Sequence, residues 1–254
     1  MSLSTSLDAV LARIDAQMPQ ATERLLDLLR IPSISTDPAY KGDCDTAADW
    51  LVADLQSIGF TASKRPTTGH PMVVAHSGGT GPHVLFYGHY DVQPVDPLNL
   101  WDRDPFDPQV EDTAKGPVIR GRGSSDDKGQ LMTFVEACRA WKAVHGTLPG
   151  NITIFFEGEE EIGSPNLDTF AEDNQDLIAA DACIWEAGYC DVTGRREVYL
   201  GLKGILYIEM TATKANIDLH SAWAAAVPSP AWYLLRALQS IKNAEERILI
   251  PDFY

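Results

Sequence analysis

Three short apolar runs in this chain stop in the same way. Val84-Leu85-Phe86-Tyr87 stops at Gly88-His89-Tyr90-Asp91-Val92. Asn151-Ile152-Thr153-Ile154-Phe155-Phe156 stops at Glu157-Gly158-Glu159-Glu160-Glu161, and Ala182-Cys183-Ile184-Trp185 stops at Glu186-Ala187-Gly188. Runs of this length with little polar alternation fit strands covered on both faces. Such strands need helices packed on them, and segments with helical apolar spacing stand between them. The fold expected is α/β. In open α/β sheets, functional groups gather beyond the carboxyl ends of strands. His89, the Glu160/Glu161 pair and Glu186 all stand at such ends.

A fourth stretch supplies what those ends lack. Gly121-Arg122-Gly123-Ser124-Ser125-Asp126-Asp127-Lys128-Gly129 joins Val118-Ile119 to a helix-like segment from Leu131. Its glycines allow close backbone approach, and its adjacent carboxylates sit among small residues, free to face one ion. Alone, such a run is an ordinary solvated turn, a strand-end His is an ordinary hydrogen-bonded His, and a run of acids is an ordinary solvated face. Together they suggest a metal centre. One nitrogen of His89 would bind the ion, and a carboxylate would accept the proton on the other and fix the tautomer. Neighbouring glutamates can divide the work, one binding metal and the next holding a water.

The rest of the chain is consistent with this plan. Ser6 is expected to cap a first helix through Leu7, Leu11, Ile14 and Met18, which Pro19 ends or from which it starts another. Asp43 or Asp45 begins a helix with Trp50, Leu51, Leu55 and Ile58 inward and Gly59 as its stop. Strands are expected at Phe60 to Lys64 and Met72 to Ala75, and Pro94 to Pro108 is a surface loop beside the site. Beyond Arg196 the character changes. Val198 to Leu202 and Gly204 to Thr213 alternate as two strands of a new sheet. A polar turn with His220 follows, then a helix from Ala231 to Ile241 with Leu234, Leu235, Leu238 and Ile241 inward. The implied domains are residues 1–198 and 199–254.

Acids outnumber bases 36 to 20, for a formal charge of −16. That balance argues against nucleic acid and anionic membranes as partners, and no apolar run is long enough to span a bilayer. The N-terminus lacks the basic and apolar regions of a signal peptide. The four cysteines match no zinc or redox spacing. They are expected to be reduced thiols of a cytoplasmic protein, with Cys138 and Cys183 buried.

On these residues, with Gln93-Pro94, Trp101, Asp104-Pro105-Phe106, Ile162-Gly163-Ser164 and Asp218-Leu219-His220-Ser221 added, the chain resembles the di-zinc exopeptidase superfamily. That group includes carnosine dipeptidases, carboxypeptidase G, aminoacylase and the acetylornithine and succinyl-diaminopimelate deacylases. The wording is most similar to the carnosine and non-specific dipeptidase branch. The resemblance implies a three-layer zinc-exopeptidase-like catalytic domain with a mixed, mostly parallel sheet, plus the start of a smaller α+β lid and dimerisation domain. It implies that Asp126 bridges two zinc ions, that His89 and Glu186 complete one ion's protein ligands, and that Glu161 binds the other. Glu160 would be the general base and Asp91 would orient His89. His220 would stabilise the oxyanion, usually in the partner subunit of a homodimer. The Asp126–Asp127 peptide bond would be cis, and the substrate would be a small peptide or acyl amino acid.

Two departures qualify the resemblance. The family's second zinc takes a final His from near the C-terminus, and no His follows His220 here. Ala222-Trp223-Ala224-Ala225-Ala226 stands where the family usually has a Gly-rich stretch. The chain also stops at Ile248 to Tyr254 without a polar tail. The expectation is the N-terminal part of a dipeptidase. The alternatives are an N-acyl amino acid deacylase or an inactive fragment of such an enzyme.

Overall fold

The computed structural model describes residues 3–186, 190–191, 193–201 and 203–253. Ala187 and Gly188 of the third strand end, and Leu202 of the expected strand 198–202, lie outside the described residues. The chain divides into two compact units, Met1–Tyr199 and Leu200–Tyr254.

The first unit is built on a five-stranded sheet of order β1-β2-β6-β3-β7. The strands are β1 (Thr61–Arg65), β2 (Met72–His76), β3 (His83–His89), β6 (Asn151–Glu157) and β7 (Ala182–Trp185). Between β3 and β6 in sequence lies a separate hairpin, β4 (Gln109–Thr113) with β5 (Gly116–Arg120). The sheet is mixed. β1 and β2 pair antiparallel, as do β2 and β6, whereas β3 runs parallel to both β6 and β7. This parallel trio brings three carboxyl ends to one edge. The register sets His89 opposite Glu157, and Trp185 opposite Tyr87.

Helices α1 (Leu3–Leu29), α2 (Lys41–Ile58) and α3 (Lys128–His145) supply the larger core. Leu51 and Leu55 of α2, and Leu131 and Val135 of α3, pack with Val73, Phe86, Ile154 and Phe156 of the sheet. Each such side chain, fully buried, contributes about 1.5–3 kcal/mol. The opposite face is covered by α4 (Leu167–Asp173), whose Phe170 packs on Tyr87 and Phe155. α2 stops where expected, at Gly59 with φ of +90°.

Several local expectations need correction. Ser6 does not cap α1 but lies inside it, 3.0 Å from His145 Nε2 through its Oγ. Pro19 neither ends α1 nor starts another helix, and α1 runs through it. The bidentate Arg24–Glu136 pair fastens the later half of α1 to α3, so tertiary contact overrides the local break. Cys183 is exposed because β7 is an edge strand, whereas Cys44 is buried alongside Cys138.

The second unit differs most from expectation. It contains α6 (Pro230–Ile241), capped by Ser229, which accepts the Ala231 N–H. α5 (Gln175–Ile178) belongs to the first unit. Among the described residues of 198–213 there is no strand. Alternation alone does not make a strand, since a strand forms only against a hydrogen-bonded neighbour, and none is paired here. Ile205 and Tyr207 are 92% and 90% exposed. The inward face expected of α6 is likewise open at Leu235 and Leu238. Among the described residues, no helix is long and apolar enough to cross a membrane.

Candidate metal centre

The carboxyl edge of the parallel trio is where the sequence-predicted residues meet. His89, the last residue of β3, is buried. Its Nδ1 lies 3.2 Å from the Asp91 carbonyl and 3.3 Å from Asp91 Oδ1. Both are acceptors, so Nδ1 carries a proton and Nε2 is the nitrogen turned to the site. Nε2 is 3.0 Å from Asp126 Oδ1 and 3.9 Å from Glu160 Oε2. Burial acts to lower the pKa of this imidazole. The hydrogen bond to Asp91 and the charges of Asp91, Asp127 and Glu160 outweigh it and push the pKa up to about 10. The ring is thus held as a cation among carboxylates.

Asp91 does more than orient His89. It is fully buried, and its two carboxylate oxygens accept the backbone N–H groups of Glu160 and Glu161 at 3.2 and 3.1 Å. One side chain therefore sets both the imidazole and the turn that carries the adjacent glutamates. That turn is a single 3-10 turn, Glu160–Ile162, closed by Gly163 at φ of +83° and Ser164 at +52°. Ser164 Oγ donates to Glu157 Oε1 at 2.9 Å, and Tyr87 O–H donates to the same oxygen. Gly158 is required beside it, because a Cβ there would fall on the Tyr90 ring.

Asp126 and Asp127 sit just before α3, joined by a cis peptide bond. Asp126 is exposed toward the site, whereas Asp127 is buried, with Oδ2 accepting the His89 N–H at 3.2 Å. Burial pushes the Asp127 carboxyl up to about 8, against the pull of His89. Glu186 follows β7. A Cβ added at Gly88 would lie 3.4 Å from Glu186 Cβ, so the bare backbone of Gly88 lets the two approach. Burial raises the pKa of Glu186 and of Glu161, and the Asp126 charge adds to both. Glu161 Oε2 accepts from Gln93 Nε2 at 2.7 Å.

Among the described residues, no group of three or more His, Cys, Asp or Glu side chains stands ready to hold a metal. His89 and Asp126 touch, Glu160 lies just beyond contact, Glu161 is turned to Gln93, and Glu186 Oε2 is buried with no partner. The donor chemistry nevertheless fits a divalent cation. An orphaned buried carboxylate oxygen, an imidazole with its outer nitrogen already satisfied, and acids that raise one another's pKa are all relieved by positive charge at Nε2. Gln93, Glu157 and Lys128 are the supporting residues that sequence reasoning did not assign. All three lie inside quoted motifs, but nothing local shows what they touch.

His220 lies in the second unit. Its Nδ1 accepts the Ala222 N–H at 3.1 Å, so the remaining proton is on Nε2 and that nitrogen is a donor.

The model of peptidase family M20/M25/M40 matches residues 85–250. The chain belongs to this family. Over 98% of its length the M20 chain is 32% identical to the Cys-Gly metallodipeptidase of Saccharomyces cerevisiae, covering 55% of that protein. It is 30% identical to the human Beta-Ala-His dipeptidase over 98% of its own length and 52% of the relative. An M20 family metallo-carboxypeptidase from Sulfolobus solfataricus superposes with a TM-score of 0.82 at 36% identity, over 92% of this chain and 52% of that one. The M20 chain thus spans about half the length of the relatives it matches.

Proposed function

We propose that this M20 protein hydrolyses dipeptides with the help of bound divalent metal, zinc in the first instance. The observation that carries the reading is the geometry at His89, whose outer nitrogen is held by Asp91 while Nε2 faces Asp126 and Glu160. His89, Asp126 and Glu186 would hold one ion, and Asp126 with Glu161 a second in the complete enzyme. The Asp126 charge helps to raise the pKa of Glu161 and of Glu186, a repulsion that a cation among the three would relieve. A bound zinc ion supplies Lewis acidity and a water that ionises near pH 7.

The chain's own residues would do the rest. Glu160, which bonds no metal in this assignment, takes the water's proton and returns it to the leaving amine. Asp91 keeps Glu160 and His89 in register through its bonds to both. His220, with its proton on Nε2, has the donor that an oxyanion needs.

The test is to load the complete enzyme with zinc, measure bound metal, and assay a panel of dipeptides beside N-acyl amino acids. Glu160→Gln is expected to keep its metal and lose turnover by about 10²–10⁴-fold, whereas Glu161→Gln loses metal. Turnover of N-acyl amino acids alone would replace the dipeptidase reading with a deacylase. A chain that takes up no zinc, or a Glu160→Gln variant as active as the parent, would refute the mechanism.

A further inference from the structure

Lys128 has no part in the proposed chemistry, yet its amino group is fully buried two residues from Asp126. Its Nζ donates to Leu28 O at 3.1 Å and to Ile31 O at 2.7 Å. Both carbonyls lie at or just past the C-terminal end of α1, where carbonyls no longer receive the full set of helix hydrogen bonds. The stem passes under the metal-bearing turn: a Cβ added at Gly123 would lie 3.4 Å from Lys128 Cδ and 3.7 Å from Leu29 Cδ2. The segment after α1 has a second attachment. Ser33 Oγ donates to Tyr90 O at 2.7 Å, Val92 N donates to Ser33 O at 3.0 Å, and Ile34 bridges Val92. One short stretch, Leu28 to Ile34, therefore holds the His89–Asp91 strand end from one side and the Asp126 turn from the other. An apolar side chain of similar volume would fill the same space without the cost of burying a polar amino group. A lysine is needed only if its bonds set a position.

We propose that Lys128 is a positioning residue for the metal centre. Its amino group pins the Asp126 turn to the end of α1 and so fixes where Asp126 stands relative to His89. The proposal rests on the reading of this site as a metal centre. Its consequence is that α1, remote from the chemistry in sequence, is part of the frame that sets metal geometry.

The test uses cobalt(II), whose visible spectrum reports coordination geometry, titrated into the full chain. Lys128→Met is expected to change the cobalt spectrum and to weaken binding by about 10–100-fold, the range seen for partners that orient ligands. Arg24→Leu is the control. It cuts the 2.7 and 2.6 Å bonds from α1 to Glu136 on α3, and should lower the melting temperature while leaving spectrum and affinity unchanged. A wild-type spectrum and affinity in Lys128→Met, or an equal change in Arg24→Leu, overturns the proposal. If Lys128→Met does not fold, Lys128→Gln, which is shorter and uncharged, is judged by the same outcomes. If the wild-type chain binds no cobalt, the metal reading falls and takes this proposal with it. If the wild type binds and the lysine variants match it, only the positioning role falls.

Discussion

Replacing Asp91 with Asn is the sharpest test of how the site is held together. The exchange keeps the shape of the side chain and removes its charge. In the native chain the carboxylate accepts the amides of Glu160 and Glu161 and faces His89 Nδ1. An Asn has one acceptor oxygen, and its amide group would meet one of those backbone N–H groups donor to donor. Hydrogen bonds to charged groups are worth about 1.5–3 kcal/mol, and a buried donor left unsatisfied costs about 1–3 kcal/mol. Loss of one such bond and weakening of the other should lower the unfolding free energy by about 2–4 kcal/mol. The exchange also strips the buried His89 cation of its nearest counter-charge, so the upper half of the range is expected. The assay is urea unfolding of the metal-free chain followed by tryptophan fluorescence, with zinc affinity measured by chelator competition. Affinity should fall about 10–100-fold because His89 loses the partner that orients it. A variant within about 0.5 kcal/mol of the parent, with unchanged zinc affinity, would show that Asp91 does not couple the imidazole to the glutamate turn.

Two further outcomes follow from the charges and thiols. His89, with its pKa raised to about 10, is a cation at neutral pH in the metal-free chain but must be neutral to bind metal. Metal uptake should therefore expel at least one proton, and apparent affinity should climb about tenfold per pH unit up to about pH 10, as rising pH removes the competing proton. Calorimetry in buffers of different ionisation heat measures the release, and none at pH 7 would contradict the assignment. Cys183 and Cys190 are exposed, whereas Cys44 and Cys138 are buried and pushed up to about 12. A chromogenic disulfide reagent at pH 8 should label the first pair within minutes and the second only after denaturation. Fast labelling of Cys44 would mean that the packing of α2 on the sheet opens readily.

What could be read in advance was whatever repeats over a few neighbours. The apolar runs at Val84, Asn151 and Ala182 became β3, β6 and β7, and Gly59 stopped α2, because each signal is local in the chain. Pro19 misled because the contacts that carry α1 past it come from α3, more than a hundred residues later. The alternation at Ile205 to Met210 misled for the opposite reason, since a strand pattern is only half of a pairing and no partner strand is present among the described residues. At the site, the types of chemistry-bearing residue were legible, but their supports were not. Gln93 reaches Glu161, and Lys128 reaches Leu28 and Ile31, across separations that no periodicity records.

The sheet order has a consequence for how the protein is made. β3 lies between β6 and β7, and both neighbours are synthesised after it. While the chain emerges from the ribosome, His89 is available long before Glu160 and Glu186 exist to stand beside it. Domains built on such non-local pairings form slowly, and the first unit cannot close until β7 has been translated. Until β6 is made β3 is an apolar strand with two open edges, and one edge stays open until β7 joins it, the kind of segment on which aggregation starts. At the proposed metal centre, His89 and Glu186 would first stand together only at the end of synthesis of the first unit.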